Sequence, residues 1–168
     1  MDIIISLGTN LGNREENLHK ALSLIEDDSI SIIEISNVYE TPSWGFKGGS
    51  FYNACAIINC LLDPQKLLKK LLKVEKILGR KRKTKKGYQN RIIDLDILFF
   101  GDKIMSTKDL KIPHSKLHLR NFILIPLIEL VPKLIHPILK HNIKELYQIC
   151  PDNSNVSKVN VDLSLPPI

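Results

Sequence analysis

Asp94 and Asp96 form the sharpest chemical feature of the chain. They interrupt Ile92–Phe100, a run otherwise apolar at both alternating positions, which predicts a central strand buried on both faces. Side chains two apart on a strand leave the same face, so the two carboxylates meet there. Such a pair either faces water at a strand edge or is compensated by a cation, because burying like charges together is costly. Magnesium fits the second case: it takes one or two carboxylates and completes its shell with phosphate oxygens.

The neighbouring residues bear on that choice. Arg80, Lys81, Arg82, Lys83, Lys85, Lys86 and Arg91 crowd the stretch before the acids. Arginine forks bind phosphate oxygens in pairs and neutralise charge that moves during phosphoryl transfer. A basic loop also suits RNA, but the aromatic K/R-G-F-G-F-V strand signature is absent, which speaks against a nucleic-acid partner. No GxxxxGK[ST] occurs, and Gly8-Thr-Asn-Leu-Gly12 lacks the lysine of a P-loop, so its glycines are expected to serve a tight strand-to-helix turn. His114, after Ile112-Pro113, and Arg120, before Asn121-Phe122, are either phosphate donors or structural residues. Thr41-Pro42-Ser43-Trp44-Gly45 and Phe51-Tyr52-Asn53 could stack on and hydrogen-bond a flat heterocycle, or simply pack.

These residues must be positioned by a modest scaffold. A chain of 168 residues, 43% hydrophobic, supports one compact domain and not two. Its formal charge of +6 favours an anionic partner. Ile3 to Leu7 reads as a strand, and Leu18, Ala21, Leu22 and Ile25 as a helix capped by Asn13. Ile30 to Tyr39 and Phe51 to Leu62 read as two more strands. Asp63-Pro64 opens a second helix striped by Leu67, Leu71, Val74 and Leu78 and closed by Gly79. Ile143, Leu146, Tyr147 and Cys150 mark a closing helix, and Val159, Val161, Leu163 and Leu165 a candidate added strand. The sum is an α+β, ferredoxin-like βαββαβ sandwich with appended C-terminal helices, over residues 1–150, followed by a tail of 151–168.

Cys55, Cys60 and Cys150 lack CxxC spacing and predict reduced, buried thiols. An acid ahead of a short apolar run is unlike a secretory leader, and no run has the length of a membrane span. The expectation is a soluble cytoplasmic protein with no membrane partner.

In order, the segments SLGTNLGN, SNVYETPSWG, FYNACAII, LLKVEKILGRKRK, NRIIDLDILFFG and IPHSKLHLRNFILIPLIELVP resemble the 6-hydroxymethyl-7,8-dihydropterin pyrophosphokinase family from about Ile3 to Leu146. RIIDLDILFFG followed by IPH is the most specific of these. The resemblance implies diphosphate transfer from ATP to a pterin hydroxymethyl group in folate biosynthesis, with AMP released; a monomer is expected. It assigns two magnesium ions to Asp94 and Asp96; a mechanism in which Asp96 assists deprotonation through the metal is expected to follow. It makes Arg80, Arg82 and Arg91 catalytic. It gives Glu75, Ile97, Lys111, His114, Ser115 and Arg120, with Arg82 and Arg91, to ATP. Thr41, Pro42, Trp44, Phe51, Asn53 and Phe122 would line the pterin pocket. Gln89-Asn90-Arg91 replaces the Gly-Pro-Arg of many relatives, Ser115 a larger ring and Lys111 a small polar residue; the tail from Pro151 lies outside the resemblance.

Overall fold

The computed structural model describes residues 2–42, 49–79 and 92–164. Trp44, Arg80, Arg82 and Arg91, and Leu165 of the tail, lie outside these. The first unit is β1 (Ile3–Thr9), the turn at Gly12 with φ +66°, and α1 (Arg14–Ile25). Asn13 caps α1 by accepting the Glu16 N–H at 3.0 Å, and Leu18, Ala21, Leu22 and Ile25 are its buried stripe, as their spacing predicts.

The predicted strand from Ile30 is two strands, β2 (Ile30–Ile35) and β3 (Val38–Thr41). The break falls at Ser36, whose N–H donates to the Cys55 carbonyl and whose hydroxyl accepts the Cys55 N–H, both at 2.9 Å. Both strands pair antiparallel with the long β4 (Phe51–Cys60), β2 along its second half and β3 along its first. Then α2 (Pro64–Ile77) starts at an Asp63 cap bonded to Lys66 N–H at 2.9 Å and ends at Gly79, whose φ of +92° is the left-handed conformation expected there.

β5 (Asp94–Phe100) pairs antiparallel with β1, giving the order β5-β1-β4-β3-β8, where β8 is Ser157–Val159. β5 is therefore at the end of the sheet and not central. Its apolar pattern on both faces has another cause: Leu95 and Ile97 join α1 and α2 in one core cluster, while Leu98 and Phe99 join α3 (Asn121–Leu130) and α4 (Ile143–Ile149) in a second. Two covered faces, not two strand neighbours, demand apolar residues throughout. The outer edge of β5 is closed by other groups: Glu75 of α2 takes the Leu95 N–H, and the Leu98 carbonyl takes the His114 N–H at 3.0 Å.

A small hairpin, β6 (Met105–Ser106) with β7 (Lys111–Ile112), leads from β5 to the His114 loop. Beyond α4 the tail returns to the sheet. β8 lies beside β3, and Leu163 is buried in the α1–α2 cluster. Cys55 is buried, while Cys60 and Cys150 are half-buried; all three are free thiols. No helix among the described residues is long and apolar enough to cross a membrane.

Candidate active site

A cavity of 340 Å³ opens on the α3 side of the sheet, at the end where Asp94 enters β5. Its floor is three adjacent strands in register: Asp94 and Asp96 on β5 stand opposite Gly8 and Ser6 on β1, and Gly8 stands opposite Asn53 on β4. Asp94 and Asp96 are both half-buried and both line the cavity, so the strand geometry brings the two carboxylates together as predicted.

The β3–β4 pair builds the second wall. Thr41 pairs with Phe51 in register, and Asn53 donates through Nδ2 to Thr41 Oγ1 at 3.1 Å inside the protein. Thr41, Pro42, Phe51 and Asn53 all line the cavity, with Phe122 of α3 contributing a further ring. Four candidates from the paired strands β3 and β4 and the residue after β3, and one from a helix far along the chain, are thus brought to one space.

Gly8 does something that its sequence context did not suggest. It lies within β1 and not in the turn, and a Cβ there would sit 2.9 Å from Asn53 Oδ1. Its missing side chain makes room for the Asn53 amide. Gly12, with its positive φ, is the turn glycine.

The third wall is the segment His114–Lys116 together with Arg120. The His114 pKa is lowered to about 4, first by burial and then by the Arg120 charge, with Asp94 opposing. The ring is therefore neutral near pH 7. Its Nδ1 accepts the Lys116 N–H at 3.2 Å, which assigns the proton to Nε2 and leaves that atom a donor. The Arg120 guanidinium lies 5.6 Å from the centre of the Phe122 ring.

A second hollow of 350 Å³ lies on the other side of Asp96 and shares Asp96, His114 and Ser115 with the first. Ile97 and Lys111 line it, beside Leu68 and Leu110. Five of the predicted nucleotide residues are accordingly distributed around two spaces with shared lining, His114 and Ser115 on both, Arg120 on the first and Ile97 and Lys111 on the second. Glu75 borders neither. It is 3% exposed, behind β5, and its carboxylate accepts the N–H of Leu95, the residue between the two aspartates. The buried, half-apolar position on α2 hides this role from periodicity, since a glutamate there reads as surface.

Among the described residues no three or more His, Cys, Asp or Glu side chains converge as a metal site. Among the described residues lining the first cavity, Asp94 and Asp96 are the carboxylates, a hard donor set. It suits magnesium, which shares its shell with phosphate oxygens, and lacks the nitrogen and sulfur ligands of structural zinc.

The sequence profile of the 7,8-dihydro-6-hydroxymethylpterin-pyrophosphokinase family matches residues 4–132, which include every described residue of the cavity. The chain belongs to that family. The pyrophosphokinase is thus a diphosphotransferase of folate biosynthesis. It is 42% identical over 144 residues to the 2-amino-4-hydroxy-6-hydroxymethyldihydropteridine pyrophosphokinase of Aquifex aeolicus, covering 85% of this chain and 88% of that one. It is 40% identical over 131 residues to the bifunctional protein FolKE of Lactococcus lactis, covering 77% of this chain but 37% of that protein. Among solved structures, HPPK-DHPS of Plasmodium falciparum with pteroate matches 88% of the pyrophosphokinase and 42% of its own chain, with a TM-score of 0.72 at 20% identity. At that identity the likeness is one of fold. The chain spans less than half of these two-function proteins.

Proposed function

We propose that the pyrophosphokinase transfers the β,γ-pyrophosphoryl group of ATP to the hydroxymethyl oxygen of 6-hydroxymethyl-7,8-dihydropterin and releases AMP. The observation that carries this reading is the position of Asp96, which borders both hollows beside Asp94 on the same strand face. A cation held there lies between a heterocycle in one space and a nucleotide in the other.

In this reading the pterin ring lies between Phe51 and Phe122, with Pro42 at its rim. Asn53 and Thr41 supply the amide and hydroxyl that read the ring's polar edge. The adenosine lies along Ile97, Lys111 and Ser115, and the triphosphate passes the two aspartates. Arg120 and the neutral His114, through its Nε2–H, donate to phosphate oxygens, and Arg80, Arg82 and Arg91 add charge from the basic segment. Asp94 and Asp96 would hold two magnesium ions, whose chemistry when bound is to neutralise and align the phosphates.

The reaction itself is an in-line displacement. The hydroxymethyl oxygen forms a bond to the β-phosphorus as the bond to the oxygen bridging toward the α-phosphorus breaks. AMP leaves with that oxygen and its electron pair, and the hydroxyl proton passes to solvent. The protein's work is to hold the two substrates in line, which can supply much of the barrier reduction. The strand order, with β2 and β3 counted as one interrupted strand on β4, supports reading the scaffold as a ferredoxin-like βαββαβ sandwich.

An assay with the reduced pterin, ATP and magnesium tests the proposal. AMP is the expected nucleotide product, and Asp94→Ala and Asp96→Ala are each expected to lower turnover by at least about 100-fold. Formation of ADP, or an Asp96→Ala enzyme with full activity, would refute it.

A further inference from the structure

Asp152 lies beyond residues 4–132, the span that the family profile matches, yet it holds the start of the helix beside the cavity. α3 begins at Asn121, and the residue in the capping position, Arg120, makes no side-chain capping bond. The first N–H groups of a helix have no partner within it. Here the Asn121 N–H donates to Asp152 Oδ2 at 2.9 Å, across 31 residues of sequence, and the Asn121 side-chain amide donates to the Asp152 carbonyl. Asp152 is 8% exposed. Its other oxygen, Oδ1, accepts the Ser154 N–H at 2.8 Å and the Ser154 hydroxyl at 2.5 Å. A carboxylate this buried is costly unless both oxygens are satisfied, and here one is held by the helix and the other by the tail's own turn. Negative charge at a helix N-terminus is also favoured by the helix dipole.

The residues on either side of Asn121 are Arg120 and Phe122, and both face the cavity. The same tail then pairs β8 with Val38–Glu40 of β3, directly before Thr41 on the opposite wall. The tail therefore grips both walls of the cavity at points one residue from side chains that line it.

We propose that Asp152 is a positioning residue of this pyrophosphokinase: through Asn121 it fixes the start of α3 so that Arg120 and Phe122 meet the substrates. The proposal rests on the reading of the cavity as the substrate site. Asp152 itself touches no substrate and supplies no charge to the reacting atoms. Its effect is on the placement of a cation and a ring, where a displacement of about 1 Å can cost up to about 100-fold.

The test compares Asp152→Ala, Asp152→Asn, Arg120→Ala and the double variant Asp152→Ala/Arg120→Ala. Steady-state constants for ATP and pterin are measured on protein whose circular dichroism matches the wild type, alongside melting temperatures. Asp152→Ala is expected to lower kcat/KM by about 10-fold, and Asp152→Asn, which can still accept the Asn121 N–H, to stay within about 3-fold of the wild type. In the double variant Asp152→Ala should add little to the loss from Arg120→Ala, since the two act through one element. Should Asp152→Ala not fold, Ser154→Ala, which removes one bond to the carboxylate, takes its place with the same double variant and a smaller expected loss. A lowered melting temperature with unchanged kcat/KM, or full additivity in the double variant, overturns the positioning role while leaving the site intact. An Arg120→Ala enzyme with unchanged kinetics overturns the reading of the cavity, and the positioning role with it.

Discussion

The Glu75 carboxylate accepts the Leu95 N–H at 2.9 Å, so a buried acid of α2 holds the backbone N–H of the one residue between Asp94 and Asp96. That amide points away from β1, off the end of the sheet, where water or another chain would otherwise meet it. Replacing Glu75 with alanine leaves a buried donor unpaired and should cost about 1–3 kcal/mol of stability. It also frees the strand segment between the aspartates. Chemical denaturation and the magnesium dependence of the initial rate check this together: Glu75→Ala should be less stable and need more magnesium for half-maximal rate, while Glu75→Gln, which keeps an acceptor oxygen, should lie between it and the wild type.

Gly8 makes a steric prediction. An added Cβ would stand 2.9 Å from Asn53 Oδ1, and the Asn53 amide is held to Thr41 at its other end. Gly8→Ala should turn that amide and raise the KM for the pterin by about 10-fold, leaving the KM for ATP within a factor of about two. Equal changes in both constants would contradict the assignment of Asn53 to the heterocycle.

Arg14 ties α1 to the segment that leads into Phe51. Its Nη1 donates to Glu40 Oε2 and the Ser50 carbonyl, each at 2.9 Å, and to Ser50 Oγ at 2.8 Å, and its guanidinium stacks 3.8 Å from the centre of the Tyr52 ring. A lysine ammonium can also donate from one nitrogen, but it has no flat face to stack on the Tyr52 ring. Arg14→Lys is therefore expected to lower the melting temperature by several degrees, roughly the effect of 1 kcal/mol in a domain of this size, a shift that a thermal melt resolves.

Two histidines contribute to the acid limb of stability. The pKa of His114 is lowered to about 4, and so is that of His136, where burial is again the main cause and His118 the second. His136 Nδ1 also accepts the N–H groups of Ile138 and Leu139 at 3.2 and 3.1 Å, bonds that only an unprotonated nitrogen can accept. An unfolded histidine titrates near 6.5. Between 6.5 and about 4 the unfolded chain binds protons that the folded chain refuses, so stability is fully present above 6.5 and falls as pH drops through that window. Melting temperatures measured from pH 7.5 to 4.5 should show this decline, and His136→Phe should flatten the slope while lowering stability at pH 7.5 by about 1–3 kcal/mol through the two unpaired amides.

Much of this was legible along the chain. The Asn13 and Asp63 caps, the α1 and α2 stripes and the Gly79 stop are each encoded within a few residues, because a helix closes its bonds over one turn. The pairing of Asp94 with Asp96 needs nothing beyond the two-residue repeat of a strand. The motif order named the family, and with it the residues now found around the two hollows.

What the order of residues left open depended on partners far away in sequence. β5 reads the same whether flanked by strands or covered by helices, so its place at the sheet's end was decided by packing. Gly8 looks like a turn glycine until β4 brings Asn53 against it, and Glu75, which the resemblance gives to ATP, meets the Leu95 N–H only once β5 lies over α2. Asp152 has no local pattern at all, since its bond to Asn121 exists only after α4 has folded back on α3. Periodicity and capping report interactions across one turn or one pleat. Contacts between distant segments exist only once two covered faces of one sheet have formed, and these decide how the walls of the cavity are held.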